Sequence, residues 1–183
     1  MPFRFRPPNI DDAEMLLDWR TRPEITRYMF TDLDSDIERQ RNWLRACETR
    51  EDFVHFVIEW QDRPVGYLSF AEIDREHRRC TPGTYLLLEP KERYIAAFTH
   101  SFVLDYAFYR LGMHKICYSI MGGNDNFIRA KAMMGVRSVG VLREHIFKYG
   151  SFHDVHLFEI TEAEWSQQRH LFSRDKTLAA FPP

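Results

Sequence analysis

The chain of 183 residues is long enough for one domain of ordinary size with a substantial hydrophobic core. Its formal net charge of −2 argues against nucleic acid or a membrane surface as a partner, because both favour a basic protein. No apolar run approaches the roughly 18 residues of a membrane span. Three distant cysteines, Cys47, Cys80 and Cys117, have no zinc-site spacing, so we expect no metal, reduced thiols and a cytoplasmic location.

The first fifty residues predict one strand and three helical segments. The alternation of FRFRP predicts a strand over residues 3–7 that ends at the prolines. Apolar residues at helical spacing then predict segments over residues 13–20, 23–29 and 35–47. Ser35 lies three residues before Glu38, which is the spacing of a capping box and predicts the start of the third segment.

The period of the apolar pattern then changes to that of a sheet. Residues 53–60 and 65–73 flank the sequence QDRP and predict an antiparallel hairpin, and residues 84–90 predict a third, mostly buried strand. A long helix is expected from about Glu92 to Leu111, with Gly112 as its C-terminal cap.

The last third repeats both kinds of pattern. We expect a strand over 115–121, a helix over 124–135, a hairpin over 139–160 that turns near Gly150, and a short helix capped by Thr161 and Glu164. Residues 1–183 are therefore predicted to form a single α+β domain with a mixed, mostly antiparallel central sheet flanked by helices. Its element order is β-α-α-β-β-β-α-β-α-β-β.

Five segments in the same order resemble the GNAT superfamily of acyl-CoA-dependent N-acetyltransferases. They are LLDWRTRPEITRYMF, RPVGYLSF, DYAFYRLGMHKI, NDNFIRAKAMMGV and GVLREH followed by YGSFHDVHLF. Within the superfamily they most resemble the branch of ribosomal-protein N-terminal acetyltransferases and flagellin amino-sugar nucleotide acetyltransferases. The resemblance implies acetyl-CoA as co-substrate and a primary amine of a small molecule or an amino-sugar nucleotide as acceptor, which attacks the thioester directly.

The resemblance also implies where acetyl-CoA binds. The strands around residues 84–88 and 115–121 should diverge and receive the pantetheine arm, while the pyrophosphate lies at the start of the long helix. The implied cofactor-binding residues are Leu86, Leu87, Leu88, Lys91, Arg93, Tyr94, Ile95, Ala96 and Asn124.

Three signatures of the family are replaced in this chain. Tyr94 stands at the central glycine of the phosphate loop, where a Cβ and a ring should obstruct a phosphate. Lys131 stands at the position of the tyrosine that protonates the departing thiolate. Thr81 and Pro82 stand where relatives have a glutamate base before a glycine.

The remaining candidates for acid and base follow from these replacements. Glu72 is the expected base, with Asp74 and His77 as alternatives on or just after the same strand. The proton donor is Lys131, if burial lowers its pKa, or Tyr118 on the neighbouring strand. A solvated helix lysine is the competing interpretation of Lys131.

The acceptor side is expected to be aromatic and basic, which would suit an anionic substrate. The implied substrate-binding residues are Trp19, Arg20, Tyr28, Met29, Phe30 and His145. Two other functions stay open: a binding protein of the same fold that has lost acetyl-CoA use, and a protein N-terminal acetyltransferase. A homodimer could form through the edge strands of the C-terminal hairpin.

Overall fold

Seven strands form one sheet in the computed structural model, which describes residues 3–172 and 177–183. The strand order across the sheet is β1-β2-β3-β4-β5-β7-β6, and every neighbouring pair is antiparallel except β4 and β5. The strands are β1 (Phe3–Arg6), β2 (Val54–Trp60), β3 (Arg63–Asp74), β4 (Arg79–Leu86), β5 (Lys115–Met121), β6 (Arg137–Lys148) and β7 (Ser151–Thr161). The predicted mixed, mostly antiparallel sheet is confirmed.

Helices cover both faces of the sheet. They are α1 (Ala13–Thr21), α2 (Pro23–Thr26), α3 (Ile37–Cys47), α4 (Ala96–Asp105), α5 (Asp125–Met133) and α6 (Glu162–Phe172). On one face, Trp19 of α1 and Leu44 of α3 pack in a small cluster with Val57 and Tyr67 of the sheet. The larger core lies on the other face, where α4, α5 and α6 pack against the sheet. No helix in the described part of the chain has the length and apolar character needed to cross a membrane.

Two helix starts were predicted from capping residues, with different outcomes. The capping box of α6 is confirmed, because Glu164 Oε2 accepts the Thr161 amide at 2.7 Å. The prediction of Ser35 as the cap of α3 was wrong. Asp36 caps this helix instead, and its Oδ1 accepts the Arg39 amide at 3.0 Å. An aspartate is as good a cap as a serine, so sequence spacing alone did not separate the two.

The fourth strand lies earlier than predicted. It runs from Arg79 to Leu86, whereas residues 84–90 were expected to form it. The apolar run continues beyond the strand because Leu88 packs against the core from an irregular segment. Leu87 still donates its amide to Val65 O at 2.7 Å, but the next residues leave the sheet.

The long helix predicted over Glu92 to Leu111 consists of three pieces. A 3₁₀ turn over Pro90–Ile95 precedes α4, and a π turn over Tyr106–Arg110 follows it. Gly112 then ends the segment at φ +70°, as a C-terminal glycine should.

Asp105, at the end of α4, fixes the helical layer. It is completely buried and accepts hydrogen bonds from Trp165 Nε1 at 2.8 Å, from Arg169 at 2.9 Å and from the Thr177 hydroxyl. Burial alone would raise the pKa of Asp105, but these hydrogen bonds outweigh burial and lower it. The ionised carboxylate therefore ties α4 to α6 and to the C-terminal turn at Thr177–Ala180.

Candidate active site

The sheet opens between its two parallel strands. β4 and β5 pair only at Arg79 with Lys115 and at Cys80 with Ile116, and then they diverge. As a result Gly83 and Ser119, although both lie on central strands, are exposed. Backbone groups that face this wedge have no strand partner across it and can bind an extended ligand with amide groups.

The part of β4 that lines the wedge packs closely against β3. A Cβ on Gly66 of β3 would lie 2.4 Å from Tyr85 O and 2.7 Å from Leu86 Cδ2. Only glycine therefore lets this half of β4 approach β3 so closely.

A cavity of about 540 Å³ joins the wedge to the face covered by α1 and α3. Its wall at the wedge comes from residues 82–85 of β4, residues 118–121 of β5, and Asn124 and Phe127 beside α5. The opposite wall comes from α1, α3 and residues 28, 29 and 31–34 of the loop between α2 and α3. One end can therefore take a thioester arm while the other takes an acceptor.

The turn that should hold phosphates differs from a glycine-rich loop. Residues Pro90–Ile95 form a 3₁₀ turn in which Glu92 N donates to Glu89 O at 2.8 Å, and Glu89 N donates to Glu92 Oε2 at 3.2 Å. The Glu92 carboxylate also pairs with Arg63 at 2.7 Å, and this bond lowers the pKa of Glu92. An ionised carboxylate thus lies where the first turn would meet a phosphate.

The side chains of this turn point to different places. Tyr94 is not among the residues with positive φ, and its ring is 61% exposed and edge-on to Phe98. Ile95 is completely buried in the core. Lys91 and Arg93 are exposed, and neither makes an ion pair or side-chain hydrogen bond within the described ranges. We therefore expect the side chains of Lys91 and Arg93 to be the groups of this turn that bind a phosphate.

Lys131 is buried, so its interpretation as a solvated helix lysine was wrong. Its side chain is 6% exposed, and Nζ lies 4.0 Å from the ring centre of Tyr118 and 4.7 Å from that of Phe127. Burial lowers the pKa of Lys131 to about 7. Both rings line the cavity, so the amine lies directly behind the cavity wall.

Tyr118 carries a second buried polar group at the same place. Its hydroxyl has no hydrogen-bond partner among the described residues, and burial raises its pKa well above the ordinary value. A buried, unsatisfied hydroxyl is costly unless a ligand satisfies it. Tyr118 and Lys131 are therefore two buried polar groups beside the wedge on the α5 side.

Two cations hold the loop that closes the acceptor end. Lys148 of β6 is buried, and its Nζ donates to Thr26 O at 2.7 Å and to Met29 O at 2.8 Å and pairs with Asp32 at 2.8 Å. From the other side, Arg20 Nη2 donates to Thr31 O at 2.8 Å. The Arg20 guanidinium is thus already bonded to the protein, although it lines the cavity.

A histidine and a tyrosine form a polar pair that the sequence interpretation missed. His55 Nδ1 and the Tyr67 hydroxyl are 2.9 Å apart, and burial lowers the pKa of His55 to about 4, so the imidazole is neutral at pH 7. Tyr67 lines the cavity and stacks on Tyr85 at 5.5 Å. Register could have indicated this pair, because β2 places His55 opposite Ser69 and next to Tyr67 on β3.

Several predicted residues do not reach the cavity. Glu72 sits at a bulge with φ +52° and accepts a hydrogen bond from the Thr81 hydroxyl at 2.8 Å. It lines a separate depression together with Asp74, and the cavity wall does not include His77. Glu72 therefore lies outside the cavity wall, in a depression that it shares with Thr81 of β4 and Cys117 of β5. A strand bulge, which turns a side chain to another direction, is invisible in the alternation of residues.

The remaining predicted residues divide in the same way. Arg20, Tyr28, Met29, Tyr118 and Asn124 line the cavity. Trp19 is buried in the small cluster and His145 is exposed on β6, so neither lines the cavity. The described cavity wall also lacks Phe30, Leu86, Leu87, Leu88, Lys131 and the turn residues Lys91 to Ala96. No cluster of three or more potential metal ligands occurs in the described part of the chain.

Several known proteins are similar to this chain in sequence or in fold. Residues 3–137 match a family described as "Acetyltransferase (GNAT) domain". The uncharacterized N-acetyltransferase YoaA of Bacillus subtilis (strain 168) is 25% identical over 82% of this chain and 88% of its own length. The uncharacterized N-acetyltransferase p20 of Bacillus licheniformis is 22% identical over 86% of this chain and 91% of its own length.

Solved structures share the fold. Spermidine N-acetyltransferase from Vibrio cholerae, in complex with CoA and spermine, superposes with a TM-score of 0.82 over 90% of this chain and 98% of its own, at 20% identity. At this identity the likeness shows the fold alone. The match of residues 3–137 covers well over half of the chain. The chain therefore belongs to the GNAT acetyltransferase family and is an enzyme of the N-acetyltransferase type.

Proposed function

We propose that this protein transfers an acetyl group from acetyl-CoA to a primary amine of a small molecule. The observation that carries the proposal is the gap between β4 and β5, because it continues into a cavity with a separate acceptor end. Acetyl-CoA supplies the acetyl group as a thioester. The protein's own contribution is to align the amine with that thioester and to manage two protons.

The donor end fits a pantetheine arm. Residues 82–85 and 118–121 leave backbone groups unpaired across the wedge, and the Tyr118 hydroxyl lacks a partner in the described chain. For the phosphates we assign Lys91 and Arg93, since both side chains are exposed and the amides of Glu89 and Glu92 are bonded within the turn. Affinity for the donor should therefore depend on salt more strongly than with an amide cradle.

Proton handling is assigned to groups on the two sides of the wedge. Lys131 holds a proton at Nζ behind Tyr118, and with a pKa of about 7 about half of the molecules carry it at neutral pH. On the acceptor side, the Tyr67 hydroxyl is placed to bind the amine nitrogen, and the proton that this nitrogen loses passes through the hydroxyl to the neutral imidazole of His55. Glu72, Asp74 and His77 have no part in this assignment.

The finer identity of the acceptor stays a prediction. The Vibrio cholerae enzyme of the same fold is a spermidine N-acetyltransferase. The sequence segments of this chain instead resemble the ribosomal-protein and amino-sugar nucleotide branch. The observed acceptor end does not favour an anionic substrate, because Arg20 is bonded to the loop. The possible homodimer and the cytoplasmic location, which rests on three free cysteines, also stay predictions.

A calorimetric titration with acetyl-CoA tests the proposed function. We expect one site per chain, and thermal unfolding should show a stabilisation of about 2.7 kcal/mol at a hundredfold excess over Kd. Ser119→Phe should fill the wedge and abolish binding, while Ser138→Phe, at an exposed position of β6, should leave it unchanged. No heat and no stabilisation at millimolar acetyl-CoA would overturn the proposal.

A further inference from the structure

The polar groups of the acceptor end lie close to the wedge. Tyr67 and Ser69 alternate along β3 and line the cavity. A Cβ on Gly83 would lie 3.1 Å from Ser69 Oγ, so this hydroxyl is next to the exposed backbone of β4. An amine nitrogen bound between Tyr67 and Ser69 would therefore lie at the wedge, where it must be to react.

Farther from the wedge, the carboxylates of the wall outnumber its cations. Asp32 is paired with Lys148 at 2.8 Å and Asp34 with Arg39 at 3.0 Å. Asp36 accepts the Arg39 amide as the cap of α3 and makes no ion pair within the described ranges. Lys148 does not line the cavity, so three carboxylates face two cations, Arg20 and Arg39, and both cations are already bonded to the protein. A phosphate group would therefore meet no free cation.

Most of the rest of this wall is apolar, although Tyr28, Thr31 and Gln40 also line it. The apolar part is built from Leu16, Leu17, Met29, Leu33, Trp43 and Phe53. Trp43 stands edge-on to Phe53 at 6.0 Å and to His55 at 5.5 Å, an arrangement that holds the indole in place. Rigid aromatic rings beside a few polar groups are typical of sites for ligands with an apolar body.

We infer that the acceptor is a primary amine carried on an apolar body, such as an arylalkylamine, and this inference rests on the proposed function. Its nitrogen lies between Tyr67 and Ser69, and its body contacts Trp43 and the leucines. A nucleotide sugar would place its diphosphate against a wall with more carboxylates than cations, and burying an uncompensated charge is costly, so this class is disfavoured. A polyamine would have to desolvate further ammonium groups against the apolar side chains, with one unpaired carboxylate, that of Asp36, to receive them, so it is disfavoured less strongly.

The test compares three amines with the full chain: 2-phenylethylamine, spermidine and UDP-glucosamine. We expect kcat/KM for 2-phenylethylamine to exceed that of the other two by at least tenfold. Trp43→Ala should raise the KM for 2-phenylethylamine about tenfold without changing the Kd of acetyl-CoA. Leu171→Ala, a matched truncation of an exposed residue on α6, should change neither.

Arg39→Gln provides an independent variant. It removes the partner of Asp34, so the ratio of the kcat/KM for spermidine to that for 2-phenylethylamine should rise. A wild-type preference for spermidine or UDP-glucosamine, with acetyl-CoA bound normally, would overturn the inference and leave the proposed function intact.

A direct measurement of acceptor binding separates the two failures. Calorimetry in the presence of CoA should detect 2-phenylethylamine more strongly than spermidine, whether or not turnover occurs. If neither acetyl-CoA binding nor acetylation of any amine is found, the proposed function itself fails. If 2-phenylethylamine does not bind at millimolar concentration, the inference fails.

Discussion

At the scale of single residues, the buried amine of Lys131 should affect the free energy of unfolding. A buried ammonium over two aromatic rings gains cation–π attraction but loses hydration, and the loss dominates because burial lowers its pKa from about 10.4 to about 7. Between these two values the unfolded chain binds more protons than the folded one. The free energy of unfolding therefore rises as the pH increases through this window.

Replacement of Lys131 by methionine should stabilise the protein at low pH. The change keeps the volume and removes the buried charge, so we expect a gain of about 1–3 kcal/mol at pH 6.5. At pH 9.5 the difference should shrink, since the wild-type amine is then neutral in the folded state. Urea unfolding at the two pH values measures this, and a difference independent of pH would contradict the burial of a titrating amine.

The same lysine should shape the pH dependence of catalysis. As a proton donor it must be protonated, so kcat should fall as pH rises above about 7. In Lys131→Met this limb should disappear and kcat should drop roughly 10²-fold, with the Kd of acetyl-CoA unchanged. Stopped assays from pH 6 to 9 provide the profile. A limb that persists in Lys131→Met and disappears in Tyr118→Phe would assign the proton to the tyrosine.

At this scale the sequence indicated where candidate residues lie along the chain, but not how buried their side chains are or which side chains they contact. The resemblance assigned Lys131 to the donor position, but its burial depends on Tyr118, which lies on another element. The Lys148–Asp32 pair joins residues 116 positions apart in the chain, and no local pattern indicates such a contact. The hydrogen bond from Arg20 to Thr31 O was not predicted either.

At the scale of elements, the shape of the wedge depends on β4 lying tight against β3. Gly66→Ala would place a Cβ 2.4 Å from Tyr85 O, so the strand must shift. We expect a loss of about 1–3 kcal/mol in the free energy of unfolding and a weaker affinity for acetyl-CoA. Gly140→Ala is the matched control, because its Cβ would meet nothing within 4 Å. Equal behaviour of the two variants in thermal unfolding and titration would refute this role of Gly66.

The loop between α2 and α3 should depend on its link to the C-terminal hairpin. Lys148→Met removes two hydrogen bonds to loop carbonyls and the partner of Asp32, so the acceptor KM should rise about tenfold or more. The Kd of acetyl-CoA should change little. Arg143→Ala, at an exposed position of the same strand, serves as the control. Asp32→Asn removes the ion pair alone and should give a smaller effect; an unchanged KM in both variants would rule out the link.

Element boundaries were predicted well where one local signal decides them. Strand β5 begins and ends where the sequence pattern placed it, and Gly112 ends the helical segment at a positive φ. The pattern did not locate β4, because its apolar run continues into an irregular segment that still packs on the core. Where a strand ends depends on its partners, and these are distant in the chain.

At the scale of the whole molecule, the mixed, mostly antiparallel sheet was expected from the resemblance of five sequence segments, whereas the order of its strands comes from the structure. The open gap between β4 and β5 was expected from the same resemblance. The change in the phosphate turn was expected as an obstruction by Tyr94, but the structure replaces the glycine-rich loop with a 3₁₀ turn whose ring faces solvent. The proposed function therefore depends on the wedge between β4 and β5, which the turn at Pro90–Ile95 does not close.

A crystal structure with CoA tests this central claim most directly. We predict that the pantetheine arm lies between residues 82–85 of β4 and 118–121 of β5, with its sulfur near Gly83 and Ser119 and its phosphates on Lys91 and Arg93. A structure in which β4 and β5 are paired along their length, or in which CoA occupies another surface, would contradict the account.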